Sequence, residues 1–494
     1  MDFCSTRNRD LRVTSAQAIL QGLSEDGGLF LPTELPAFSA DAIEAMAGQD
    51  YRQVAAAVLG AFLPDYTADE IAGFVNDAYG KQFTSADVAP VKTIQSGVYS
   101  LELWHGPTCA FKDFALQMLP RLLPAARKCG SDKTVAILVA TSGDTGKAAL
   151  EGFADVEGTK ICVFYPHGGT SEMQRLQMVT QTGGNVNVFA VKGNFDDTQN
   201  GVKAIFTDAA VAKELEERGV MLSSANSINW GRLAPQIAYY YWAYAQLLKQ
   251  GKIKMGDKIN FSVPTGNFGD ILAGYLAKKS GLPVDKLICA SNENNVLTDF
   301  LRTGVYNRNR KFHLTDSPSM DILISSNLER LLYLVTDGND IVVRNWMEQL
   351  KKTGKYDVGP NVLAKLKEEG FVGYWCNDEK TEVTVHDTWF AKGYLSDTHT
   401  GVAVNALEQY TKATGDQTPC VVVSTASPFK FAPAILPAMD LDFEGTDFQM
   451  LEAMEIVSCM PAPKALTGLK NKEVRFDKVI EKDAMKQEVL DWLK

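Results

Sequence analysis

None of the eight cysteines (Cys4, Cys109, Cys129, Cys162, Cys289, Cys376, Cys420, Cys459) pairs into a CxxC unit. That scatter excludes a disulfide framework and a zinc module, and it reads as buried thiols in a reducing compartment. The five histidines contain no HExxH pair, so a histidine metal site has no support. No uninterrupted apolar run reaches the roughly 20 residues of a membrane helix. The stretch IAYYYWAYAQLL from Ile237 is too short and too rich in tyrosine. The opening MDFCSTRNRDLRVTSAQ lacks an apolar core, so no secretory signal is expected and the cytoplasm is the default location. Positive charge is scarce as well: 49 Lys and Arg stand against 60 Asp and Glu, a net charge of -11. A nucleic-acid surface needs a basic field, so no nucleic-acid partner is expected, although a locally positive pocket for a small anion remains open. Low-complexity tracts, short repeats and long linkers are absent too.

What is there is 494 residues, 45% hydrophobic and 22% charged. At roughly 100–200 residues per domain this makes two to four domains, with core enough to need no metal or disulfide. The first 90 residues read as mostly helical: a helix from Ser15 to Leu20 behind a serine cap, then Ala40 to Met46, Tyr51 to Phe62 and Ala68 to Tyr79. From Val91 the pattern changes. Strands at Thr134 to Ala140, Lys160 to Tyr165 and Val186 to Val191 alternate with helices at Gly146 to Ala154, Ser171 to Thr182 and Asp197 to Arg218. A second set has strands at Lys258 to Val263, Leu287 to Ala290 and Pro419 to Ser424, with a helix from Asp270. Such alternation predicts βαβ units and parallel sheets, an α/β fold of two open-sheet units. The division expected is 1–90 as an N-terminal domain, 91–132 with 250–494 as a large domain, and 133–249 as a small mobile domain. The irregular, charge-rich stretch 295–392 reads as an elaboration of the second unit.

Two strand–loop–helix junctions stand out, ATSGDTGK at 140–147 and VPTGNFGD at 263–270. Each offers free backbone N–H groups and the positive end of a helix, which suits an anion. One glycine loop is as readily an ordinary turn; two in one chain favour a ligand. The first is no ATP-binding loop, because Thr141 stands at the first glycine and Ala148 at the magnesium-holding hydroxyl. GxGxxG is missing after the first strand, so a nicotinamide enzyme is disfavoured. A third element, HGPTCAFKDF at 105–114, sets Lys112 between two phenylalanines and beside Asp113. Most lysines are solvated surface charges, but an apolar setting lowers the amine pKa and makes a nucleophile.

Together HGPTCAFKDFALQ, ATSGDTGKAA, PTGNFGD and VVSTASPFKFAPA resemble the threonine synthase family, of fold-type II among pyridoxal-phosphate enzymes. STRN…AQAILQGLSEDGGLFLP, SSANSINWGRLAPQIAYYYWAY and DSPSMDILISSNLERLL extend the resemblance to the longer microbial and fungal form over nearly the whole chain. The resemblance implies that Lys112 is the catalytic, Schiff-base lysine for pyridoxal 5'-phosphate. It implies that Gly266, Asn267, Phe268 and Gly269, with Asp270, cradle the cofactor phosphate. Many relatives carry Asn at the position of Asp270. Thr425 matches the neutral hydroxyl beside the pyridine nitrogen. Thr141, Ser142, Gly143, Asp144 and Thr145 match a loop facing the substrate and the ring oxygen. The implied substrate is O-phospho-L-homoserine, converted with water to L-threonine and phosphate. Its phosphate needs a cationic site, for which Lys147, Arg175 and Arg232, helped by Asn229 and Ser142, are the candidates. His399 and the Tyr239–Trp242 aromatics read as structural. The chain is expected to act as a monomer or homodimer, free of membranes. A phospho-lyase releasing 2-oxobutyrate and a non-catalytic phosphometabolite-binding protein are the rival readings.

Overall fold

The protein is described as a computed structural model, covering residues 1–128, 132–141 and 143–494. A small antiparallel sheet opens the chain, with β1 (Phe3–Ser5) between β2 (Asn8–Val13) and β3 (Phe30–Pro32). Three helices then alternate with loops, among them Tyr51–Phe62 and Ala68–Ala78, each opened by a capping box, from Asp50 and Thr67. The expected serine cap of the first helix shifts by one residue. Thr14 caps Ser15–Gln21 in a box with Gln17, and Ser15, the first helical residue, bonds Asp65 instead.

The large sheet uses β4 (Val91–Gln95) and β5 (Val98–Glu102), and the small sheet β6 (Thr134–Ala140), β7 (Thr159–Pro166), β8 (Val186–Lys192) and β9 (Val220–Ser223). The chain then returns to the large sheet with β10 (Ile259–Pro264) and β11 (Val284–Ser291). A short hairpin, β12 (Val305–Asn307) with β13 (Lys355–Asp357), lies in the charge-rich stretch. β14 (Phe371–Trp375) and β15 (Cys420–Ser424) complete the large sheet, in the order β14-β11-β10-β15-β5-β4, parallel except for β4. The stretch 295–392 therefore does extend the second unit, through β14.

The small sheet runs β16-β8-β7-β6-β9, wholly parallel, and its edge strand β16 (Val479–Glu481) comes from the far end of the sequence. This differs from the expected split. Residues around Ile480, Met485, Val489 and Leu490 bury against Val191, Val202 and Ile205 of the small unit, not against the large one. The helix Trp230–Lys249, expected at the end of the small unit, instead packs Tyr240 on Phe261 of β10 and Tyr241 on Phe38. It is buried from Trp230 to Leu247, because almost every side chain along it is aromatic or small and apolar. The single helix expected over Asp197 to Arg218 is two, Phe195–Thr207 and Ala209–Glu217. Asp208 breaks the run by turning its carboxylate onto the N–H groups of Ala210 and Val211. Among the described residues no helix is long and apolar enough to cross a membrane.

Candidate active site

Every residue singled out for chemistry except those on later helices lies just past the carboxyl end of a parallel strand, where open α/β sheets place their ligands. Lys112 follows β5, the Thr141 loop follows β6, the Gly266 loop follows β10 and Thr425 follows β15.

Lys112 begins the helix Lys112–Lys128. The loop before it is pinned three ways. Phe111 N–H donates to Thr425 O at 2.7 Å, Ala110 bridges to Ala426, and the Asp113 carboxylate accepts both the N–H (2.8 Å) and the hydroxyl (2.6 Å) of Thr108. Asp113 thus closes its own loop and is not the partner of its lysine neighbour. Its burial pushes its pKa up to about 6 against the pull of the Thr108 bonds. The Lys112 side chain is 9% exposed and its Nζ lies 4.9 Å from the Phe111 ring centroid. Nζ donates to Ser319 Oγ at 3.2 Å and stands 3.8 Å from Asp144 Oδ2. Burial lowers the amine pKa to about 8, with Asp144 opposing and Lys430 and Arg232 adding to the fall.

The β6 junction supplies Asp144. Gly143 sits at φ 156°, and a Cβ there would come within 2.4 Å of the Gln174 amide carbon, so only glycine fits. Thr141 Oγ1 accepts the N–H groups of Gly143 and Gly146, each at 3.0 Å, which fixes the turn. Thr145 lies in the first turn of the helix Asp144–Phe153. Ser142 lies outside the described residues. The Asp144 carboxylate is buried yet ringed by donors: Lys430 Nζ at 2.7 Å and Gln174 Nε2 at 2.9 Å on Oδ1, and Ser319 Oγ at 3.3 Å on Oδ2. Burial alone would raise its pKa, but Lys430 and Lys112 outweigh it and hold the carboxyl well below the usual range.

The β10 junction has Phe268 in the left-handed region at φ 63°, and no side chain caps the helix Gly269–Lys279 behind it. Gly266 is pressed against the Ser319 segment, where an added Cβ would meet Ser319 O at 2.9 Å. Asn267 is exposed, and its carbonyl is held by the backbone and side-chain N–H groups of Asn327. Asp270 is buried; Tyr239 and Tyr240 hydroxyls donate to its Oδ1 at 2.7 and 2.8 Å, while Oδ2 has no partner among the described residues. The aromatic run is therefore packing with two polar tips aimed at this loop. Thr425 is buried at the end of β15.

The four phosphate candidates among the described residues fare unequally. Arg175 spends its charge on Glu172 at the surface, through two bonds of 2.7 Å. Lys147 is buried but paired to Glu151 at 2.8 Å and bonded to Gln181. Asn229 caps the helix Trp230–Lys249 and holds Ile19 O and Ser224 O. Arg232 alone is buried without a carboxylate partner. It reaches Ala225 O, its Nε is unpaired among the described residues, and burial lowers its pKa to about 10.

Three residues at the heart of the cluster were not singled out by sequence reasoning. Ser319 joins Lys112 to Asp144, and its N–H donates to His399 Nε2 at 3.1 Å. That places the His399 proton on Nδ1, which donates to Asp397 at 2.6 Å, so the histidine is a satisfied support of Ser319. Gln174 and Lys430 hold Asp144. Lys430 carried a usable signal, since Phe429-Lys430-Phe431 repeats the phenylalanine flanking that marked Lys112.

An amine with a lowered pKa, a helix start at Gly269 that no side chain caps and a buried guanidinium with no carboxylate beside it fit a ligand that carries an aldehyde and a phosphate. Comparison with known proteins points the same way. Residues 89–426 match the family of pyridoxal-phosphate-dependent enzymes, 2–79 the threonine synthase N terminus and 400–489 the threonine synthase C-terminal family. Threonine synthase of Pseudomonas aeruginosa is 39% identical over 436 residues, covering 88% of this chain and 90% of that protein. Threonine synthase-like 1 of Macaca fascicularis is also 39% identical over 86% of this chain, but the chain spans only 58% of that relative's length. The crystal structure of pyridoxal-phosphate-bound threonine synthase from Brucella melitensis superposes with a TM-score of 0.89 at 36% identity, covering both chains fully. A buried amine between two anion-ready loops, and a likeness that runs from the N-terminal sheet to β16, lead to one assignment: this chain belongs to the threonine synthase family of pyridoxal-phosphate-dependent enzymes.

Proposed function

We propose that the protein is a threonine synthase, converting O-phospho-L-homoserine and water to L-threonine and phosphate. The observation that carries this reading is the Lys112 amine, buried, lowered to about 8 and poised over Ser319 and Asp144 between the two anion-ready junctions. Lys112 and the Gly266–Gly269 turn would hold pyridoxal phosphate, which when bound would supply an electron sink for the hydrogens next to the substrate nitrogen. Thr425 would offer it a neutral hydroxyl rather than a charge, which would temper that sink.

The chain's own groups do the rest. Lys112 Nζ, with a proton affinity near working pH, takes and returns protons on neighbouring substrate carbons. The Ser319 hydroxyl bonds both Nζ and Asp144, closing a triangle with them, and can steady the amine in either charge state. Asp144 stays an anion, so it holds positive charge at Nζ and is no proton acceptor itself. Arg232, with no acid beside it, is the group we assign to an incoming phosphate; the pairing of Lys147 and Arg175 leaves them as supports. Burial of the cluster keeps bulk water out, so the water that adds to Cβ is the one the site admits. A reducing compartment, the cytoplasm, suits seven unpaired cysteines among the described residues, six of them buried.

Incubation with O-phospho-L-homoserine and identification of the carbon product tests the reading. Threonine is expected; 2-oxobutyrate as sole product would overturn it in favour of the phospho-lyase. Borohydride reduction is expected to fix an adduct on Lys112, and Lys112→Ala to lose both the cofactor's long-wavelength absorbance and all but a residue of turnover, a fall of about 10³-fold or more.

A further inference from the structure

Lys430 is a second buried lysine in the same cluster, and the chemistry above does not use it. It stands in the short turn Pro428–Phe431 directly after β15. Its side chain has no exposed surface, and Nζ has two acceptors, Asp144 Oδ1 at 2.7 Å and Thr108 O at 2.9 Å. The second of these ties it to the loop that carries Lys112. The first ties it to the carboxylate whose other oxygen faces the Lys112 amine. Asp144 is therefore divided edge by edge between two ammonium groups, one on each oxygen.

We propose that Lys430 is a positioning residue for the proton chemistry of Lys112: it saturates Oδ1 of Asp144, keeps that carboxylate ionised, and leaves only Oδ2 turned to the amine. The inference rests on the reading of Lys112 as the cofactor's anchor and deepens it. Its physical basis is that a buried carboxylate without a permanent counter-charge takes up a proton. Lys112 cannot be that permanent charge, because its nitrogen gains and loses a proton during turnover. Lys430 touches no reacting atom, so turnover gives it no proton to gain or lose.

The groups that bear on this arrangement come from several elements. Lys430, Lys112, Gln174 and Ser319 face Asp144. Asp144, Arg232 and Asp113 bear on Lys112 along with Lys430. His399 reaches the cluster only through the backbone of Ser319 and is bound to Asp397. None of the others can replace Lys430 on Oδ1 with a charge, since Gln174 is neutral and Arg232 is bonded to Ala225.

The test is a spectral titration of the holoenzyme without substrate, following the cofactor's absorbance from about pH 5 to about pH 10. In Lys430→Met Asp144 loses its permanent counter-charge and takes up a proton, the Lys112 nitrogen loses the anion that favours its charged form, and the midpoint is expected to fall by about half a pH unit or more. Lys430→Arg is expected to return it to within a few tenths of a unit of the parent. Lys430→Gln is neutral but keeps donors for Thr108 O and Asp144, so it carries the same test if the methionine variant does not fold. It should show the same fall. An unmoved or raised midpoint in a folded neutral variant overturns the inference while leaving the assigned function intact. A parent enzyme with no band dependent on Lys112 overturns both.

Discussion

Among the described residues, the two oxygens of the buried Asp270 live differently. Oδ1 accepts two tyrosine hydroxyls; Oδ2 is buried without a partner. Burial pushes the pKa up from 3.8 to about 6, against the pull of the hydroxyls. The folded protein therefore holds a proton that the unfolded chain has already released. The Asp270 contribution to stability is complete below the unfolded pKa and is lost as pH rises through about 6. Asp270→Asn, which never ionises, should stabilise the protein by about 2 kcal/mol more at pH 8 than at pH 4.5. Equal unfolding free-energy gains at the two values would count against this. Gly143 makes a different prediction. A methyl group there must displace Gln174, and with it a donor to Asp144. Gly143→Ala is expected to cost about 1–3 kcal/mol of stability and to lower kcat by about tenfold or more. A normal kcat would show that the Gln174–Asp144 bond is dispensable.

At the scale of elements, how much could be read from the sequence follows from how much local chemistry each element carries. β6 was read to the residue, and β7, β8 and β10 to within a residue or so, because strands covered on both faces are unbroken apolar runs. β9 and β16 were missed, being four and three residues long with partly exposed faces. The break at Asp208 was available in principle, since an aspartate before Ala-Ala-Val is a cap signal. The site divides the same way. Lys112 and the two junctions announce themselves by motif. Ser319 comes from a segment with no regular pattern. It is placed by Asn292, Thr315 and Asp321, whose mutual bonds brace residues 315–321, and by His399. Such convergence from distant positions leaves no periodicity to find. Arg175 misled because a motif-borne arginine looks the same whether it faces a ligand or, as here, its own Glu172.

On the scale of the whole molecule, the small sheet is closed by a strand from the other end of the sequence. β16 covers Ala190 to Lys192 of β8, and Met485, Val489 and Leu490 seal the helix Phe195–Thr207 beside it. Deleting residues 478–494 is expected to loosen the small unit selectively. Hydrogen exchange should rise across β7 and β8 while β10, β11 and β15 stay protected. Uniform loss of protection would mean that the two sheets unfold as one.

The same closure has a bearing on how the chain is made. A ribosome completes β6 to β9 and must then synthesise the entire remainder of the large sheet before β16 emerges. Through that interval β8, with the apolar sequence VNVFAVK, presents an unpaired parallel edge to whatever is nearby. Slow translation or crowding in that window would favour nascent-chain aggregation, and a chaperone that shields extended apolar segments would raise the yield of finished enzyme.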